Sequence, residues 1–176
     1  MIIPEVLLAD QMQSKSLATR VAEYACSSEN AFKELIHCYL SEDHKLAQRA
    51  AYSLSIAARK KIDLMQPYVG ILVDQLKRND VHDAVIRNSA RILEEIEIPE
   101  QFHGEVMDAC FGFIQNRQTA IAIRAFSLTI LYRLSLIYPE IKNELCYIIV
   151  ENIDYETAAF RSRGTKILAA LNKKTK

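Results

Sequence analysis

Arginines stand at almost one interval along the chain: Arg49, Arg87, Arg124 and Arg161, separated by 38, 37 and 37 residues. Each lies in the first half of an apolar segment, and in the last three a small residue follows three positions later, at Ala90, Ser127 and Gly164. A period of this length implies a helical hairpin repeated in tandem, each hairpin burying its apolar stripe against its neighbours. The architecture is thereby constrained before any catalytic motif is considered, and a scaffold is the expected outcome.

The apolar residues recur at three and four positions, the helical period, and strand-like alternation is nearly absent. DAVIRNSARILEEI from Asp83 places Val85, Ile86, Ala90, Leu93 and Ile96 on one stripe, and ETAAFRSRGTKILAAL from Glu156 repeats the plan with Phe160, Ile167, Leu168 and Leu171. TAIAIRAFSLTILYRL from Thr119 is apolar nearly all round, so this fourth repeat is expected to be the most protected. In DHKLAQRAAYSLSIAA from Asp43, Tyr52 follows Arg49 by three, so the small-residue register slips by one. A second helical stretch precedes each segment. Pro4, Pro67, Pro99 and Pro139 fall at helix openings, where a missing N–H is tolerated. Asp43, Asp83 and Thr119 are the expected N-caps. Glu42, Asp80 and Asp154 stand in the turns before Arg49, Arg87 and Arg161, whereas Arg117 holds that place before Arg124. The expected role of the arginines is a ladder of charge-assisted bonds to these turn acids; the alternative is a row of guanidiniums for an anionic ligand. SLATRVAEYA around Arg20 reads as the second helix of a shorter first repeat.

The sequence predicts an all-α chain, an α-α superhelix of about five hairpins in one domain over 1–176, with repeats near 4–26, 30–60, 64–97, 100–136 and 139–172. QRAAYSL and VIRNSARIL, with the early Arg and the acidic turn residue, resemble the second-helix signature of HEAT and HEAT-like repeats, and the resemblance covers roughly residues 14–173. Arg117 departs from the turn acid, and Asn88 and Arg91 intrude on the small-residue face. Tetratricopeptide repeats fit less well, because their stricter period and aromatic and Gly positions are missing. The resemblance implies a curved array whose second helices line a concave binding face. By helical phase the residues of those helices that point away from the core are Arg49, Tyr52, Arg91, Glu95, Tyr132, Arg163 and Lys166, the candidate partner-binding set.

Net charge is zero, which argues against general nucleic-acid binding, where a basic footprint supplies most of the affinity. The balance hides segregation. Residues 92–116 hold Glu94, Glu95, Glu97, Glu100, Glu105 and Asp108 with no Lys or Arg; residues 157–176 hold Arg161, Arg163, Lys166, Lys173, Lys174 and Lys176 with no acid. Either these are solvated helix faces with a basic tail, or they orient a partner. Cys26, Cys38, Cys110 and Cys146 lack metal-ligand spacing and sit in helical apolar patterns, so free buried thiols and a reducing, cytoplasmic setting are expected. The opening MIIPEVLLADQMQ lacks the pattern of a signal peptide, and Arg133 interrupts the most apolar stretch, so no membrane span is expected.

Chemistry is hard to find. Gly70, Gly104, Gly112 and Gly164 stand singly, as close helix contacts rather than a phosphate loop. His37, Cys38 and His44 are near in sequence but divided by a turn, and no metal, catalytic group or cofactor is assigned. HEAT-like DNA glycosylases would need a basic groove and lesion-stacking aromatics, whereas this chain is neutral and has no Trp. A helical lyase would need a flexible Ser-rich loop that is missing. The expected function is a non-catalytic scaffold binding a protein or peptide through its concave face, as a monomer; the alternative from another class is a structural module that associates with itself. Residues 1–12 and 173–176, at the ends of the array, are expected to fray.

Overall fold

The computed structural model describes residues 1–9 and 11–172, and among them every regular element is helical, as the sequence predicts. The chain runs α1 (Ile3–Ala9), α2 (Lys15–Ala25), α3 (Glu29–Tyr39), α4 (His44–Lys60), α5 (Ile62–Met65), α6 (Val69–Leu76), α7 (Asp83–Leu93), α8 (His103–Gln115), α9 (Ile121–Ser135), α10 (Lys142–Asn152) and α11 (Ala158–Leu171). Short 3-10 turns lead into α6, α8, α10 and α11.

Helix starts are set by local side chains. Ser14, Ser28, Asp43 and Thr157 each accept a hydrogen bond from a backbone N–H of the first turn, satisfying donors that have no intrahelical partner. His82 does the same for α7 through Nδ1, so Asp83 is the first helical residue and not the cap. The residue at the cap of α9 is Ala120, and Thr119 lies outside it. Pro139 begins a 3-10 turn, Pro67 is the second residue of one and Pro99 precedes one, so the α-helices they introduce start a few residues later.

The helices gather into two compact units, Met1–Ile98 and Pro99–Lys176. In the first, α2, α4 and α7 pack side by side, with α1 and α3 against α4 and α6 against α7. Leu7, Phe32, Leu35, Leu54, Leu72 and Leu93 are sealed from solvent there, each contributing about 1.5–3 kcal/mol. Tyr39 of α3 reaches Ser89 of α7, oxygen to oxygen 2.7 Å, in the same core. Ser89 gives its own proton to the Val85 carbonyl, so the Tyr39 hydroxyl donates and both buried groups are satisfied.

In the second unit α9 is the hub, packed by α8, α10 and α11. Leu128 and Leu131 of α9 meet a core that includes Ile114, Leu145 and Phe160. Gly164 of α11 lies so close to α10 that a Cβ there would stand 2.8 Å from Ile149 Cγ2. A Cβ on Gly104 or Gly112 would meet nothing within 4 Å, so the close-contact expectation fails for these two.

The four periodic arginines divide into two kinds. Arg49 and Arg124 are buried, whereas Arg87 and Arg161 are exposed. Arg49 donates to the carbonyls of Leu7, near the end of α1, and Gln11, just beyond it, and Arg124 donates to the Ile114 carbonyl near the end of α8. Both therefore cap orphan carbonyls of a first helix. The turn-acid ladder does not form as expected. Asp80 is engaged by Arg78, which draws its carboxyl down to about 2, and Arg124 pairs with Glu156. Arg117, which occupies the missing turn acid's place, donates to Asn152 Oδ1 and lies over the Tyr155 ring. At the other end, α1 is tied in and not loose: Ile3 and Leu7 are sealed, and the Ile3 N–H donates to Glu34. Residues 173–176, expected to fray, lie outside the described residues.

Candidate functional site

The second helices of each unit border a surface depression, and some of the expected binding residues lie at these depressions. In the first unit a shallow groove of about 160 Å³ runs between α4 and α7, floored by Ala58, Ile92 and Ile96. Arg59 and Glu95 close its rim in a two-pronged ion pair, with Arg59 Nε 2.9 and 2.8 Å from the two Glu95 oxygens. Both side chains are about 40% exposed (42%/39%), so the pair contributes little to stability and mainly neutralises the rim. Lys60 and Glu23 form a second pair nearby in sequence, joining α4 to α2.

In the second unit a cleft of about 290 Å³ lies between α9 and α11, lined by Thr129, Tyr132, Arg163, Lys166, Ile167 and Ala170. The floor is almost wholly apolar and the two cations stand at its edge. Arg163 is held in place: Nη1 donates to Thr129 Oγ1 at 2.5 Å, and the guanidinium lies 5.1 Å from the centre of the Phe126 ring.

Of the seven candidate residues, Tyr132, Arg163 and Lys166 thus come together at one cleft. Tyr52 and Arg91 are half-buried on α4 and α7, and Glu95 is exposed but bonded to Arg59. Arg49 is a correction: its guanidinium is buried on the carbonyls of Leu7 and Gln11 and does not face solvent. Arg124, whose small residue Ser127 is in register, is buried in the same way, so the slip at Tyr52 does not account for the burial of Arg49. Arg59, Thr129 and Phe126 were missed. Arg59 follows Tyr52 by two helical turns, so the same stripe could have found it. Thr129 carries no signal of its own, since only the packing of α9 on α11 gives it a role.

The acidic stretch 92–116 does not belong to one unit: Glu94, Glu95 and Glu97 lie in the first and Glu100, Glu105 and Asp108 in the second. Of the basic stretch, Arg161, Arg163 and Lys166 lie on α11, while Lys173, Lys174 and Lys176 lie outside the described residues.

A model of the HEAT repeat domain matches residues 7–171. The chain belongs to the HEAT repeat family. This HEAT chain is similar in fold to an engineered protein solved in crystals by the Northeast Structural Genomics Consortium, with a TM-score of 0.60 and 17% identity, over 97% of this chain and 79% of that one. Among curated proteins none matches.

Reactive chemistry is poorly served by what the repeats bury. Burial pushes the Cys38 thiol up to about 11 and the Cys110 thiol up to about 12, which keeps them protonated and poor nucleophiles. Burial also raises Cys26 and Cys146, and all four are free. His37 and His44 are both exposed, on α3 and at the start of α4. Among the described residues no three His, Cys, Asp or Glu side chains gather as a metal-binding group, and no helix is long and apolar enough to cross a membrane.

Proposed function

We propose that this HEAT chain is a non-catalytic scaffold that takes a protein or peptide on the solvent face of its second helices. The observation that carries the reading is the cleft between α9 and α11, where an apolar floor is edged by Arg163 and Lys166 beside Tyr132. Apolar floor with a few fixed polar groups at the edge is the usual make-up of a recognition site, and Tyr and Arg are the residue types that most often anchor interfaces. The test is affinity capture from native lysate with mass spectrometry, run beside the charge-reversed variant R91E/R163E/K166E. Partners retained by the native chain and lost by the variant, with unchanged circular dichroism, support the scaffold reading. Identical partners with both remove the face from consideration.

A second reading, self-association, is favoured by Tyr147 and Val150, which stand 66% and 57% exposed on α10. Light scattering across a concentration series separates the two, since a monomer at all concentrations excludes self-association.

A further inference from the structure

The two helix layers of the second unit differ in charge. Helices α9 and α11 carry Arg124, Arg133, Arg161, Arg163 and Lys166 and no Asp or Glu, whereas α8 and α10 carry Glu105, Asp108, Glu144 and Glu151 against Lys142 alone. Arg124 is buried with Glu156, whereas on α11 Arg161 and Lys166 are exposed and Arg163 is half-buried. The second helices of the first unit also carry more Lys and Arg than Asp and Glu, but at the groove between α4 and α7 the rim cation Arg59 is answered by Glu95.

From this segregation we propose that the α9/α11 cleft recognises an acidic peptide segment that also carries apolar side chains. The proposal rests on the reading that the second-helix face is the binding surface. The apolar floor of Tyr132, Ile167 and Ala170 accepts the apolar side chains, and Arg163 and Lys166, one helical turn apart on α11, meet carboxylates at matching spacing. Arg163 is held beforehand by Thr129 and by the Phe126 ring, so less side-chain freedom is lost when a carboxylate binds its fork. A peptide is favoured over a nucleic acid for two reasons. The Phe126 ring, which would serve as a stacking platform, is covered by the Arg163 guanidinium. The chain as a whole has no net charge with which to hold a phosphate backbone.

The test is selection of random peptides displayed on phage against the full chain, followed by fluorescence anisotropy of the enriched sequences as labelled synthetic peptides. Enrichment of Asp and Glu interspersed with Leu, Ile or Phe is expected, with affinity falling as salt rises. The variant R163E/K166E should weaken these peptides about tenfold or more, and K142E, the same charge change on α10, should leave them within about twofold. Thermal melts of both variants establish that they fold, and K166E alone, exposed and so mild for the fold, should still weaken binding severalfold. Enriched peptides that are basic or uncharged, yet are lost with R91E/R163E/K166E, overturn the acidic-peptide proposal while leaving the scaffold reading intact. Enrichment insensitive to every second-helix variant, or no enrichment at all, overturns both. A labelled single-stranded oligonucleotide bound more tightly than any peptide, and released by R163E/K166E, replaces the peptide with a nucleic acid. Concentration-dependent self-association abolished by R163E/K166E replaces it with the acidic α8 face of a second copy.

Discussion

Arg124 of α9 and Glu156, two residues before α11, form an ion pair in which neither side chain is more than 6% exposed (4%/6%). The same guanidinium donates to the Ile114 carbonyl and stands 5.1 Å from the centre of the Phe160 ring, so one side chain joins α8, α9 and the start of α11. Its Nε has no hydrogen-bond partner, which leaves the arrangement dependent on the Glu156 charge. Glu156→Ala should therefore lower the stability of the second unit by about 3–5 kcal/mol, because it strands a buried cation. The double change R124M/E156L should recover most of that loss, as hydrophobic replacement of a buried pair often does. Urea unfolding read separately for the two variants checks both numbers. A Glu156→Ala loss below about 1 kcal/mol would show that water reaches the pair.

The sequence period treats Arg49 and Arg87 as equivalents, but their environments are opposite. Arg49→Ala removes two hydrogen bonds from a charged donor, to the carbonyls of Leu7 in α1 and Gln11 just beyond it, and should destabilise by about 2–3 kcal/mol. Arg87→Ala, at an exposed position, should fall within about 0.5 kcal/mol of the native chain. Thermal melts of the two variants in parallel decide the matter. Equal losses would restore the ladder that the contacts of Arg49 argue against.

What the sequence made legible was periodicity and what it hid was phase. Apolar spacing identified an all-helical chain, and small residues such as Ala90, Ser127 and Gly164 do lie at buried positions. Recurrence could not say which arginines point inward, because a half-turn of a helix separates a buried guanidinium from an exposed one. Asn88 shows the same limit. It read as an intrusion of polarity on the packed face, yet it is buried with its amide donating to the Ala84 carbonyl one turn back. The candidate cleft was visible only in part: Tyr132, Arg163 and Lys166 follow from helical phase, whereas Thr129 and Phe126 gain their roles from long-range packing. Glu156 was hidden because Asp154 stood at the periodic position and drew the assignment.

Glycines on α8 and α11 offer a paired measurement. Gly164→Ala gains helix propensity of about 1 kcal/mol but drives a methyl against Ile149, whose β-branched side chain has little freedom to move. Overpacking of this kind costs about 1–3 kcal/mol, so the net effect should be destabilising. Gly112→Ala meets open space in the interior of α8 and should stabilise by up to about 1 kcal/mol. The two changes should thus have opposite signs in urea unfolding, and stabilisation by Gly164→Ala would mean that α10 and α11 sit further apart than the structure places them.

The buried thiols give stability a pH dependence whose sign follows from their direction of shift. Burial lifts Cys38 to about 11 and Cys110 to about 12 from an ordinary value of 9.0. A thiol held neutral in the folded state contributes stability that is complete below the unfolded value; it is lost as pH rises through about 9 toward the folded value, because only the unfolded chain ionises there. Stability should therefore be flat with respect to these groups below pH about 9 and decline above it, and C38A/C110A should flatten the decline. The same burial orders the reactivities. Half-buried Cys26 and Cys146 should be alkylated by iodoacetamide in the native chain before Cys38, and Cys110 only at the rate at which the second unit opens. Mass spectrometry of peptides from a labelling time course reads all four sites at once. Early labelling of Cys110 would place a solvent path into the core where α8 meets α9, and would weaken the case that its thiol is shielded by Ser127 and its neighbours.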